Sequence, residues 1–269
     1  MKIAFNTHSL VSDEQLDRNV ASARARGLPR PKCEPRPKLA VVGGGPSLAI
    51  HRGELLYWPG DIWACSSAFQ WCRKNGIKAT FFNVDPEAAM LPWAEGVERA
   101  ILSTTTDPSL FDAIPEVEAF DLVATADYMN HGVSAVTATP CLALEIGYTD
   151  ITFFGCDSSY DYVTHAYQNE LAADGGLKHV IWVRCGDRVY PTNPPLLMQA
   201  EFLGAVVRTC SMVFSERSGG LLGAMARHED FDIVAANTAM HEKLDITVNG
   251  EKATPEQRIA AFPILEIAA

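Results

Sequence analysis

The chain has 269 residues, 48% of them hydrophobic and 20% charged, enough apolar material to bury a full core without disulfide or metal support. Its net charge of −11 argues against a uniformly basic nucleic-acid-binding surface. No apolar run reaches the roughly 18 residues of a membrane span, and residues 1–6 lack the long apolar region of a signal peptide, so a cytoplasmic protein is expected.

Residues 2–6 read as a short strand and 12–26 as a helix. Ser12 stands at the N-cap, Asp13 and Glu14 lie in the first turn and arginines come near the end, as the helix dipole favours. Gly27 stops it. Residues 28–38 carry Pro29, Pro31, Pro35 and Pro37 among charges, a stiff extended linker. From Arg18 to Lys38 seven basic residues face one acid, a net of +6. This segment is either a solvated helix end and linker or a contact for a polyanion such as DNA.

The main unit is expected from residue 39 to about 224. An apolar strand, Leu39-Ala40-Val41-Val42, runs into Gly43-Gly44-Gly45-Pro46-Ser47. A strand ending in such a turn before a helix gathers N–H groups that suit a phosphate. The turn is neither Gly-x-Gly-x-x-Gly, since Leu48 holds the third glycine's place, nor a Walker loop, since it has no lysine. A short helix is expected over 49–57, a strand over 61–65, and a helix from Ser66-Ser67 to about Lys74. Further strands are expected over 79–85, 97–103 and about 120–124. A helix opens at His131-Gly132-Val133-Ser134 and closes at Gly147, followed by a strand over 151–155. The last third gives a strand at 182–184, a helix over 198–207, a core strand at 212–214 and a second glycine-rich turn at 218–223. Residues 225–269 read as a peripheral segment and 1–38 as an N-terminal appendage.

Strands alternating with helices predict an α/β fold, a doubly wound, mostly parallel Rossmann-like sheet with helices on both faces. Ligands then sit beyond the carboxyl ends of the strands. Gly43, Gly44, Gly45 and Ser47, then Ser66, then Asn83 and Asp85, and finally Asp157 all fall at such ends, and Gly132 and Ser134 open a helix toward the same edge. Asp85 and Asp157 are candidates for a general base, a hydroxyl-orienting group or a metal ligand; the competing role for each is a helix N-cap. Neither forms an Asp-x-Asp pair, so a divalent Mg or Mn ion would have only Asp85 or Asp157 to bind. The segment after Asp157 is dense in Tyr160, Tyr162, His165 and Tyr167. His165 is the leading general base because imidazole titrates near neutrality, with His131 and His179 as competitors; the tyrosines either contact phosphate or pack together. The seven cysteines form an odd set without Cys-x-x-Cys and lie mostly in apolar runs, so reduced core thiols are expected.

These motifs together resemble a superfamily with three branches: bacterial lipooligosaccharide sialyltransferases, flagellin-modifying motility accessory factors, and archaeal-type 6-hydroxymethylpterin diphosphokinase-like proteins. The resemblance rests on Val41 to Leu48, Phe81-Phe82-Asn83, Gly132-Val133 with Leu144-Glu145-Ile146-Gly147-Tyr148, Phe153-Phe154-Gly155-Cys156-Asp157, and Ser218 to Leu222. It implies a GT-A-like glycosyltransferase with a UDP- or CMP-sugar donor lying over the glycine turn and the Gly132 helix start. Gly44, Ser47, Asn83, Gly132 and Ser134 would contact that donor, the tyrosines after Asp157 would hold its phosphate, and a downstream histidine would deprotonate the acceptor. Gly44 and Ser66 stand where the sialyltransferases carry asparagine, His131 replaces a serine, and Val84-Asp85 departs from their pattern, which leaves room for a uridine donor. The acceptor is a glycan, a protein or a hydroxymethylated DNA base. The alternatives are an ATP- and magnesium-dependent pterin diphosphokinase and a non-catalytic nucleotide-binding module.

Overall fold

Residues 39–42 are wholly buried, as expected of a strand covered on both faces, whose sequence runs continuously apolar instead of alternating. The computed structural model describes residues 2–4, 11–32, 38–122, 134–160, 179–238, 240, 245–248 and 251–261. In chain order the elements begin with β1 (Lys2–Ala4), α1 (Asp13–Ala25) and β2 (Lys38–Val42), then a 3-10 turn (Pro46–His51) that runs into α2 (Arg52–Leu56). They continue with β3 (Asp61–Cys65), α3 (Ala68–Lys74), β4 (Thr80–Asn83), a second 3-10 turn (Ala88–Ala94), β5 (Arg99–Ser103), α4 (Pro108–Ala113) and β6 (Glu116–Phe120). After these come α5 (Ala135–Ile146), β7 (Asp150–Phe154), β8 (Ile181–Cys185), β9 (Arg188–Thr192), α6 (Pro194–Thr209), β10 (Phe214–Glu216) and α7 (Gly220–Met225). The chain closes with β11 (Phe231–Ala236), β12 (Asp245–Val248), β13 (Glu251–Lys252) and α8 (Pro255–Ala261).

Seven strands form one parallel sheet in the order β10-β7-β2-β3-β4-β5-β6. The expected doubly wound α/β architecture is present. From β2 the chain steps outward through β3, β4, β5 and β6, then returns to the other side of β2 as β7. The switch point therefore lies between the carboxyl ends of β2 and β7, where such sheets form their crevice. One face of the sheet packs Leu55 of α2, Phe69 and Cys72 of α3, Leu110 of α4 and Ala23 of α1. The other face packs α5 and α6, through Val136, Leu142, Leu203 and Val206.

The basic segment straps the β6 edge. The Ala119 N–H donates to Pro29 O, covering an edge that would otherwise offer unpaired backbone groups. Its charges meet acids of the same chain: Arg24 with Asp121, Arg26 with Asp112, Arg30 with Glu145 and Lys38 with Asp150. Four of the segment's seven basic residues are paired in this way.

Most elements fall within a residue or two of expectation, and the differences have local causes. The third strand of the sheet ends at Asn83 instead of Asp85 because Asp85 Oδ1 accepts from Glu87 N at 3.0 Å and turns the chain. The strand expected near 120–124 lies at Glu116–Phe120, and α4 precedes it, capped by Asp107, whose side chain accepts from Ser109 N. The last core strand moves from 212–214 to Phe214–Glu216 because Val213 and Phe214 both donate to Cys210 O in a turn. Strand β9 carries Pro191, a residue that argues against a central strand; it is tolerated here because β9 is the edge of a small antiparallel sheet, β11-β8-β9. The expected boundary at 224 falls inside α7, and beyond it β11 still pairs with β8. The small sheet packs on α6 and α7 through Leu197, Ala200, Leu221 and Met225.

Phe82 is wholly buried between Trp63 and Phe120, with ring centroids at 5.2 and 5.5 Å. Phe82→Ala should cost about 3–5 kcal/mol, read as a lower urea midpoint at unchanged m-value. A loss below about 1 kcal/mol would contradict this packing.

Candidate functional site

At the switch point the loops after β2 and β7 are bonded to each other. Gly43 N donates to Phe154 O at 2.8 Å and Gly45 N to Gly155 O at 2.6 Å. Asp157 Oδ2 accepts from Ser47 N at 3.1 Å and from Ser47 Oγ at 2.9 Å. Gly219 N adds a further bond to the same carboxylate. Glycine is required at 43 and 45 by this close approach. A Cβ on Gly43 would lie 2.7 Å from Gly155 O, and one on Gly45 would lie 2.6 Å from the same oxygen and collide with Asp157 Oδ2. Asp157 is 2% exposed. Burial pushes its carboxyl above the usual carboxylate range, opposed by the bonds from Ser47 and Gly219. Glu216 at the end of β10 is raised in the same way, by burial first, and the Asp157 charge adds to it.

The next strand ends carry a row of polar groups. Register pairs Val42 with Ala64 and Cys65 with Phe82, so Gly44, Ser66 and Asn83 follow one another across β2, β3 and β4. Ser66 sits at φ 47°, a left-handed conformation that costs about 1 kcal/mol or more for a residue with a Cβ and is typical of functional turns. Its hydroxyl donates to Asn83 Oδ1 at 2.9 Å. Asn83 is wholly buried, and this bond turns its amide nitrogen toward Asp85 O, 3.4 Å away. Burial raises the Asp85 carboxyl above its usual range, opposed by the Glu87 N–H. Among the described residues the Gly44 N–H has no hydrogen-bond partner.

On the opposite face Ser134 caps α5, its hydroxyl accepting from Thr137 N and donating to Gln199 Oε1 at 2.6 Å. Gln199 Nε2 donates in turn to Ser158 Oγ at 2.9 Å. Ser158 is the other non-glycine residue at positive φ among the described residues, at 55°. Its carbonyl accepts from the Thr192 hydroxyl at 2.7 Å. Tyr160 is buried, its hydroxyl accepting from Asn193 Nδ2 at 2.7 Å, and burial pushes it up to about 12.

The fold thus brings Gly43, Gly44, Gly45, Ser47, Ser66, Asn83, Asp85, Ser134, Asp157 and Tyr160 to one end of the sheet, and divides them by state. The N–H groups of Gly43, Gly45 and Ser47 are bonded within the chain, and Asp157 and Tyr160 are enclosed. Gly44, Ser66 and Asp85 are part-exposed. Gly132, Tyr162, His165 and His131 lie outside the described residues. Ser218, from the motif at 218–222, accepts from Cys156 N at 2.8 Å through its hydroxyl, whereas Gln199 and Asn193 were not anticipated. A lone polar residue on a helix or turn carries no sequence mark of burial. The six described cysteines are free thiols. For a divalent cation, Asp157 offers spent lone pairs and Asp85 one uncommitted oxygen. Among the described residues no three His, Cys, Asp or Glu groups gather as metal ligands, so the described residues do not fit such a site.

Sheet order, switch point and polar strand ends define a Rossmann-like α/β protein. No family model and no curated protein matches the sequence. The fold is similar to a solved structure of the MAf glycosyltransferase from Magnetospirillum magneticum AMB-1, with a TM-score of 0.57 and 17% identity over 80% of this chain. The matched region spans 38% of that longer chain. Among the described residues no helix is long and apolar enough to cross a membrane.

The folded protein holds the Asp157 proton more tightly than the unfolded chain does. Between the usual carboxylate value of about 4 and the raised one, falling pH therefore favours the folded state. The melting temperature of wild type minus that of Asp157→Asn should grow as pH falls toward the usual carboxylate value of about 4. A difference independent of pH would contradict the buried carboxylate.

Proposed function

We propose that this protein is a glycosyltransferase that uses a nucleotide-sugar donor. The observation that carries the reading is the row Gly44, Ser66, Asn83 and Asp85 at adjacent strand ends, on a sheet similar to that of a glycosyltransferase. The donor's nucleotide lies along this row and against the Ser134 cap of α5, with Gly132 contributing from just before it in sequence. Gly44 N–H and the α5 N-terminus face its phosphates, and Asp85 accepts from a ribose hydroxyl. The acceptor hydroxyl attacks the anomeric carbon, forming the new C–O bond as the bond to the nucleoside phosphate breaks. His165 takes the hydroxyl proton, and Tyr162 donates to the departing phosphate. Asp157 holds the loop after β7 in place instead of serving as the base. UDP and CMP sugars are both retained as donors.

Thermal-shift measurements with UDP, CMP, their sugars, ATP and pterins, with and without Mg²⁺ or Mn²⁺, test the class. UDP or CMP at about a hundred times Kd should stabilise the fold by about 2.7 kcal/mol, and ATP should not. Metal-dependent ATP binding would point to a diphosphokinase, and silence toward every nucleotide would leave a non-catalytic module. In the same series His165→Ala should abolish transfer and keep the nucleotide shift. Full activity in that variant would assign the base elsewhere.

A further inference from the structure

The end of β4 is held from behind by three groups on other elements. The Thr106 hydroxyl donates to Asn83 O at 3.4 Å and the Thr105 hydroxyl to Val84 O at 3.1 Å. The third group comes from α1, far away in sequence. Asn19 is wholly buried, and its Nδ2 donates to Pro86 O at 3.1 Å and to Thr105 O at 2.9 Å. Its Oδ1 accepts from Gln15 Nε2 at 2.7 Å. One side chain thus uses both amide protons to bridge the loop after β4 and the turn after β5, with a neighbour on its own helix fixing its rotamer.

Holding the helix against the sheet does not need such a residue. Ala23, one turn further along α1, packs into the core with an apolar side chain. A buried asparagine costs free energy unless its hydrogen bonds are made, and here they are made to Pro86 O, next to Asp85, and to Thr105 O, on the residue whose hydroxyl holds Val84 O. Pro86 has no N–H to anchor the loop by a strand bond, so its carbonyl is the handle left for fixing it. With Pro86 and Val84 both tied at their carbonyls, the Asp85 side chain is left directed by the Glu87 N–H bond.

We propose that Asn19 is a positioning residue for the candidate nucleotide site: through it, α1 sets the orientation of the Asp85 loop. This inference rests on the nucleotide reading above. Asn19→Leu removes both donors at similar volume, and Asn19→Asp keeps the acceptor while losing the donors. Each should weaken UDP or CMP affinity at least tenfold. Ala23→Gly loosens the same helix without touching the loop and should leave affinity within about twofold. Wild-type affinity in both Asn19 variants would overturn the proposal, as would equal weakening by Ala23→Gly. Amide exchange without any nucleotide separates the two readings. The Glu87 N–H should exchange at least tenfold faster in the Asn19 variants than in wild type and Ala23→Gly, and unchanged exchange would overturn the positioning role. Fast exchange combined with a wild type that binds no nucleotide would sink the nucleotide reading alone. Should Asn19→Leu fail to fold, Asn19→Asp and the nucleotide-induced shift of the wild-type Asn19 side-chain amide carry the same test; an unshifted resonance on saturation would overturn it.

Discussion

The carboxylate of Asp157 closes the Ser47 end of the glycine turn. It accepts from the Ser47 hydroxyl and N–H and from Gly219 N–H, and so joins the loops after β2, β7 and β10 at the point where the sheet changes direction. Much of the local sequence is constrained by it. Gly45 must lack a Cβ to let the carboxylate in, and Gly220, at φ 61°, passes within contact of Asp157 O and Ser159. Leu222 N donates to Asp157 O at 3.0 Å, which seats α7. Burying a charge is expensive unless hydrogen bonds compensate, and the three donors aimed at one carboxylate supply that compensation.

With that corner closed, the open chemistry moves toward β3 and β4. Ser66 keeps a left-handed backbone although glycine fills that conformation at Gly27, Gly76, Gly96 and Gly147, and its hydroxyl orients the Asn83 amide. Asp85 and Gly44 flank the pair. On the other side, Gln199 connects the α5 cap to Ser158 and so couples the start of that helix to the loop after β7. The row is therefore held by α1 as well as by the strands that carry it.

The parallel sheet was legible because buried strands such as 39–42 and 151–154 read as continuous apolar runs, and because Ser12, Gly27 and Gly147 mark helix ends with residue types suited to their geometry. The strand ends that carry the polar row were legible for the same reason. What the N–H groups of Gly43, Gly45 and Ser47 meet was not legible, because a glycine turn looks alike whether its donors face a ligand or carbonyls and a carboxylate about 110 residues away. Asn19 and Gln199 were hidden too, since polar residues on helices usually face water and only tertiary contacts show otherwise. The ion pairs of the basic segment were hidden because the counter-charges, Asp112, Asp121, Glu145 and Asp150, are scattered along the chain. Strand β9 was missed because Pro191 masks an edge strand.

The central claim is that the chain's own carboxylate closes the β2–β7 corner and leaves the β3–β4 side for a nucleotide. Backbone amide exchange, resolved by residue with and without saturating UDP or CMP, tests it most directly. Gly45 and Ser47 should exchange slowly in the free protein and stay unchanged on binding, while the Gly44 amide slows. Rapid exchange at Gly45 and Ser47 that becomes slow only with nucleotide would contradict the account and return the phosphate to the glycine turn.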